Sequence, residues 1–426
     1  RRMFLKQLGY GTAGVGLISV LPACRTAGVG WGNSRLPRSA PETQGVSSSG
    51  IQAFLDALAR SKHELHSFML VRHGHVVAEG WWSPYGPQFN HTLYSLSKSF
   101  TSTAVGLAVG EGRLRVDDKV VSFFPNDLPG TVSENLAALR VRDLLTMSVG
   151  NETEPTHTVV KEENWVRTFL AQPITHRPGT TFMYNSTATY MCSAIVQQVT
   201  GQRVVDYLQP RLFKPLGIAG ATWETCPRGI NVGGWGLSVP TEALAKLGQL
   251  YLQDGVWNGR IVLAPQWVAE ATTFKIQQPI PAKTSRPNEK NDWLQGYCYQ
   301  FWRSQHQAFR GDGAFGQLMV VMPKQGAVVA INAETHDMQA EMDLIWEHLL
   351  PAMKDAPLPR NGTAHAKMQE TLASLALAQP KGGITTMQAR KVSGKTFKLE
   401  TNNAGLQSAS FVFYNDNCSF TLRDAQ

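Results

Sequence analysis

The chain reads as an α/β (α+β) protein: an antiparallel sheet from N- and C-terminal strands, flanked by terminal helices, plus a helical lobe. Three observations predict this. Short apolar runs of strand character cluster near residues 67–82 and again near 296–332. Between about 113 and 290 the apolar spacing is mainly helical, broken by Pro and Gly. Helical periodicity adjoins both strand groups, at about 48–61 and 338–351. At 426 residues and 42% apolar content the chain is long enough for one large domain plus a smaller unit.

Each element has a local reason. Ser47 to Ser49 offer N-caps, and Ile51, Phe54, Leu55 and Leu58 recur at helical spacing. Residues 67–72 and 75–82 read as strands joined at His73-Gly74. A helix starts near Ser95. Its continuation, Phe100 to Gly112, is small and apolar, so it can be buried on all sides, with close backbone approach at Gly106. The middle carries helices at 141–147, 187–199, 203–212 and 241–253, the last repeating Leu244, Leu247, Leu250 and Tyr251. Strands are expected again at 296–302, 316–323 and 327–332. The helix at 338–351 then presents Met342, Ile345, Trp346 and Leu349.

These elements divide the chain. Residues 41–352 form the main domain, 353–388 a linker with a helix, and 389–426 the start of a small β domain expected to run past Gln426. Residues 1–24 read as an export signal: Arg1-Arg2-Met3-Phe4-Leu5-Lys6 has a twin-arginine pattern, and the apolar run from Leu8 to Leu21 is too short to span a membrane as a helix. Leu21-Pro22-Ala23-Cys24 resembles a lipoprotein box, which makes Cys24 the lipidated residue and the membrane a partner through that anchor. Cleavage nearby without lipidation is the alternative, because Pro22 is unusual there. Residues 25–40 are rich in Gly, Arg, Ser and Pro and read as a linker.

The net charge of +8 includes Arg1, Arg2 and Lys6, and no basic stripe forms, so nucleic acid is not an expected partner. The five cysteines form no CxxC pair. Two GxGxxG matches fail on context: Gly9 to Gly14 has no strand before it, and Gly311 to Gly316 leads into a strand rather than a helix. His63-x-x-His66 and His73-x-His75 lack a third ligand, so no metal is expected. A GxSxG elbow is missing.

Ser95-Leu96-Ser97-Lys98 carries the chemistry. Serine is a weak nucleophile near neutral pH and needs a neighbouring base. A serine and a lysine three residues apart share one helix face, and a desolvated lysine can be that base. Taken singly, the commoner meaning of such a pair is a solvated lysine near a helix start. A lysine at the mouth of a buried helix differs from that. Tyr184-Asn185-Ser186 lies on a loop before a helix, where the Tyr184 phenol can relay a proton. Arg310-Gly311-Asp312-Gly313-Ala314-Phe315-Gly316-Gln317 opens an apolar strand whose glycines admit a substrate and whose backbone N–H groups can hold an oxyanion.

Ser95-x-x-Lys98, then Tyr184, then a glycine-rich strand entry is an order that resembles the serine β-lactamase and penicillin-binding-protein family. The likeness is to its class C and esterase-like branch, including the 6-aminohexanoate-dimer hydrolase type. His66-Ser67-Phe68, Leu144-Leu145-Thr146-Met147-Ser148 and Gly233-Gly234-Trp235-Gly236-Leu237 add to it. The resemblance implies a β-lactamase-like fold over about 41–352 and a serine hydrolase acting without cofactor or metal. Ser95, Lys98 and Tyr184 would be catalytic. Ser186, Gly311, Asp312, Gly313 and Ala314 would bind substrate or oxyanion, with the oxyanion amide belonging to Asp312 or Ala314. Two departures stand out. Ser186 replaces the family's asparagine, and the Lys-Thr-Gly or His-Thr-Gly element is absent, leaving Arg310 as a displaced guanidinium for a substrate carboxylate. The expected substrate is a small-molecule or peptide-like ester or amide. Rival readings are a D-Ala-D-Ala peptidase or β-lactamase, and a penicillin-binding sensor that acylates without turnover.

Overall fold

The structure, a computed structural model, describes residues 35–283, 285–378, 387–402, 404–414 and 417–424. The expected export signal and Cys24 lie outside the described residues. Helices α1 (Ser48–Arg60), α2 (Ser97–Gly110), α3 (Ser186–Thr200), α4 (Thr241–Leu252), α5 (Met338–Leu344) and α6 (Gly362–Ala373) surround one antiparallel sheet. Its strands are β1 (Glu64–Arg72), β2 (His75–Trp81), β3 (Trp302–Arg303), β4 (Phe309–Gly313), β5 (Gln317–Met322) and β6 (Ala327–Glu334), in the order β2-β1-β6-β5-β4-β3. Terminal segments of the main domain therefore meet at the centre, where β1 pairs with β6 from Glu64↔Glu334 to Arg72↔Ala327.

The central strands are buried on both faces, and their side chains alternate between two cores. Phe68, Leu70, Leu318, Val320, Val329 and Ile331 face one way, against Phe54 and Leu58 of α1, Met342 of α5, and Met368 and Leu372 of α6. Met69, Val71, Met319, Val321, Val328 and Ala330 face the other, against α2, α4 and the helical lobe. Strands buried on both sides read as continuous apolar runs, which is why β1, β5 and β6 were visible in sequence. Within the segment read as a linker, α6 is docked on α1 through Met368 and Leu372. The C-terminal strands Lys395–Lys398, Leu406–Tyr414 and Asn417–Asp424 form a separate three-stranded antiparallel sheet.

Two expectations need correction. Residues 296–302 do not form a strand; the strands are Trp302–Arg303 and Phe309–Gly313. The run splits instead between two clusters: Tyr297 and Trp302 pack with Phe182 and Met147, while Cys298, Tyr299 and Phe301 join the core around α2 and α4. The glycine-rich run is itself a strand up to Gly313, followed by a hairpin turn into β5. Gly311 and Gly313 are poor strand formers, so local propensity concealed β4; close contact with the start of α2 is what selects them.

Helix α2 runs through the interior. Residues Ser97 to Gly106 are all buried. At Gly106 a Cβ would sit 2.4 Å from Cδ1 and Nε1 of Trp267, whereas at Gly110 nothing lies within 4 Å. Gly106→Val should therefore cost about 1–3 kcal/mol by overpacking. Gly110→Ala should be neutral or stabilise by up to about 1 kcal/mol through helix propensity. Urea midpoints of the two variants should move in opposite directions or differ by at least that overpacking cost; equal midpoints would contradict the packing described.

Candidate active site

Ser95 sits in a one-turn 3-10 helix, Tyr94–Leu96, immediately before α2. The residue ahead of it, Tyr94, adopts φ +45°, an unfavourable left-handed conformation for a bulky side chain. The turn is held at both ends by strand Leu237–Val239. Leu93 N–H donates to Leu237 O at 2.9 Å, and Leu237 N–H donates to Ser97 Oγ at 3.1 Å. Ser95 remains partly exposed while Leu96, Ser97 and Lys98 are buried.

Lys98, in the first turn of α2, is only 2% exposed. Its Nζ lies 3.0 Å from Ser95 Oγ, 3.1 Å from Ser186 Oγ and 2.7 Å from the Gly234 carbonyl. An ammonium uses its three N–H groups on these three oxygens. A neutral amine keeps two of them and turns its lone pair to the Ser95 O–H. Burial pulls the Lys98 pKa down to about 7, against the opposing influence of the Asp312 and Glu154 carboxylates. The base form is thereby populated near neutrality.

Tyr184 ends the loop before α3. Its ring stacks on Trp302 (centroids 5.5 Å apart, 18° between planes), and Lys98 Nζ lies 4.9 Å from its centroid. Burial and the Asp312 carboxylate push its phenol well above the usual value, against a hydrogen-bonding interaction with Ser95. The phenol accordingly keeps its proton at neutral pH. Ser186 is the first residue of α3, and Asn185 is its N-cap: Asn185 Oδ1 accepts from Ala188 N–H at 3.0 Å, and the side chain is fully buried. Asn185 thus aims Ser186 into the site and holds no substrate itself.

The glycine-rich strand lies against this turn. A Cβ on Gly313 would meet Leu93 O at 2.1 Å and Leu96 N at 3.1 Å, and one on Gly311 would meet Ser99 Oγ at 2.5 Å. Ala314, exposed, starts the hairpin turn. Asp312 points to the other side of the strand. Arg310, the displaced guanidinium left as a candidate partner for a substrate carboxylate, is fully buried there: its Nε and Nη2 both lie 3.0 Å from Asp312 Oδ2, and its guanidinium packs 4.2 Å from the Trp293 centroid. A buried arginine demands such pairing, so it has no charge to spare for substrate.

Sequence reasoning missed two groups. Gly234 supplies a carbonyl to Lys98, and its missing side chain leaves room for Ser186 O, 2.6 Å from where a Cβ would be. Glu154, exposed at the site, accepts the Ser186 backbone N–H at 3.1 Å and the Thr156 backbone N–H at 3.0 Å. The run Gly233 to Gly236 was a visible signal for the first; no local pattern marks the second. Among the described residues the site brings together Ser95, Lys98, Tyr184, Ser186 and Gly313.

A family model described as Beta-lactamase matches residues 55–352. The chain belongs to the beta-lactamase family. It is a serine hydrolase of that family, similar to a 6-aminohexanoate-dimer hydrolase of Paenarthrobacter ureafaciens, with 29% identity over 304 residues covering 65% of this chain and 76% of the relative. Among solved structures, a penicillin-binding protein homologue from Caulobacter crescentus aligns with a TM-score of 0.54 at 18% identity, covering 67% of this chain and 91% of that one. A family VIII carboxylesterase aligns with a TM-score of 0.55 at 15% identity, covering 74% and 99%. These two likenesses establish the beta-lactamase fold.

If the amine form of Lys98 acts as the base, kcat/KM should rise with pH on a limb centred near 7. Below that limb it should fall about tenfold per pH unit. A pH–rate profile with a soluble ester checks this. A limb near the ordinary lysine value, or no limb between pH 5 and 9, would show that Lys98 is not the base.

Proposed function

We propose that this family member hydrolyses an ester or unstrained amide through an acyl-enzyme on Ser95. The observation that carries the reading is the buried Lys98 Nζ, 3.0 Å from a partly exposed Ser95 Oγ. Ser95 Oγ attacks the carbonyl carbon as its proton passes to Lys98. The oxyanion is received by the backbone N–H of Ser95 and, in this reading, that of Ala314. The choice of Ala314 over Asp312 is supported by Gly313, the strand glycine pressed closest to the nucleophile turn. As the tetrahedral intermediate collapses, the bond to the leaving group breaks and Tyr184 gives that group a proton. Lys98 returns its proton to Tyr184. Water then attacks the acyl-enzyme by the reverse transfers and restores Ser95. Ser186 keeps Lys98 oriented.

A carboxylate-bearing β-lactam suits this site poorly. Arg310 is sealed against Asp312, and the exposed acidic side chain of Glu154, bonded to the Ser186 N–H, disfavours an anionic substrate. Names among the relatives, a 6-aminohexanoate-dimer hydrolase and a carboxylesterase, agree with amide or ester substrates. Export belongs to the same proposal, supported by the Arg1-Arg2 pattern and the box ending at Cys24.

A short p-nitrophenyl ester should exceed nitrocefin in kcat/KM by about ten- to a hundredfold, the scale set by one missing charge-assisted contact. Lys98→Ala should lower the ester rate by about two orders of magnitude or more. If nitrocefin is turned over faster than every ester in a panel, the protein is a β-lactamase and the substrate assignment fails.

A further inference from the structure

Tyr184 stands on a loop, yet its proposed task requires the phenol oxygen to be placed to within about half an ångström. The backbone fixes only the base of the side chain: Met183 N–H donates to Met147 O at 2.8 Å, and Asn185 caps α3. The ring itself is held by Trp302, stacked on it at 5.5 Å and 18°, with Tyr297 near-perpendicular to it at 6.3 Å. Trp302 is in turn held on several sides. Tyr297 packs near-perpendicular to it at 4.9 Å, Phe182 lies 6.0 Å away, and the Arg310 guanidinium lies 5.5 Å from its centroid. Trp302 also pairs with Arg310 across the β3–β4 ladder.

Arg310 cannot move. Besides Asp312, its Nη1 donates to Asp292 O at 2.8 Å and Ser304 Oγ at 2.7 Å, and it packs on Trp293. Such a buried pair contributes little net stability compared with apolar residues of the same size. What it provides is a fixed direction, on the strand that also carries Gly313. The strand pressed on the nucleophile and the platform under the tyrosine are therefore one rigid piece.

We propose that Trp302, anchored by the buried Arg310–Asp312 pair, is the positioning residue that holds Tyr184 in line with the leaving group of the substrate. The inference rests on the reading of Tyr184 as proton donor to that group. It touches no reacting atom itself and acts through the tyrosine ring. Its loss should consequently be felt only where the leaving group needs a proton. A p-nitrophenolate leaves unaided near neutral pH, whereas an alkoxide does not.

The experiment compares kcat/KM for the p-nitrophenyl and ethyl esters of one acid, with intact sites counted by fluorophosphonate titration. Tyr184→Phe should lose about a hundredfold or more on the ethyl ester and far less on the p-nitrophenyl ester. Trp302→Leu should show the same split, at least about tenfold against less than about threefold, and Trp302→Phe, which keeps a flat ring, should recover most of it. Adding Trp302→Leu to Tyr184→Phe should cost nothing further on the ethyl ester. If Trp302→Leu yields no titratable sites, Trp302→Met, which fills more of the same volume without a flat ring, takes its place with the same expected split. Equal losses on both esters, or losses that multiply with Tyr184→Phe, would overturn the positioning role while leaving Tyr184 as donor. No split in Tyr184→Phe itself would overturn the donor reading, and the inference with it.

Discussion

Everything in the site follows from one lysine kept out of water. An isolated buried ammonium is so costly that the group shifts its pKa and sheds the proton instead. Lys98 occupies that position, 2% exposed at the start of a helix whose first ten residues are all buried. Three oxygens, on Ser95, Ser186 and Gly234, satisfy it without a direct carboxylate contact. Had a carboxylate paired with it directly, the proton would be held and the base lost. The distant influence of Asp312 and Glu154 raises its pKa only part of the way back, leaving it near 7. That value suits the role proposed for it, taking a proton from serine and returning it within one cycle.

Keeping Lys98 dry requires close packing around the first turns of α2, and glycine makes that possible. Gly234 brings its backbone against α3, Gly311 and Gly313 bring β4 onto the nucleophile turn, and Gly106 admits the Trp267 ring. Each position lacks space for a methyl group. The strained Tyr94 conformation belongs to the same design: Ser95 is lifted out of the buried surface while its neighbours stay inside. On the far face of β4 the solution reverses. The full side chains of Arg310 and Asp312 pair, and the Arg310 guanidinium packs on Trp293 and Trp302, so the strand is thin toward the Ser95 turn and filled behind it.

Much of this was legible from sequence because it is local. The spacing of Ser95 and Lys98, the apolar character of α2, and the periodicity of α1 and α4 are set by residues within a few turns. Strands β1, β5 and β6 were visible as apolar runs. β4 was not: its Arg-Gly-Asp-Gly composition opposes a strand, and only contact with α2, some two hundred residues earlier, explains it. The same long-range dependence hid the sealing of Arg310, the approach of Glu154 to Ser186 across 32 residues, and the stack of Trp302 on Tyr184. Asn185 shows a different failure. Its capping role follows from a local rule, yet beside a tyrosine with a candidate function it was read only as part of that motif.

The central claim is that the partly exposed Ser95, and no other serine near Lys98, is acylated. Labelling with a fluorophosphonate followed by peptide mapping tests it most directly. The account predicts one adduct per chain, on Ser95, and none in Ser95→Ala. An adduct on Ser97 or Ser186, or undiminished labelling of Ser95→Ala, would contradict it.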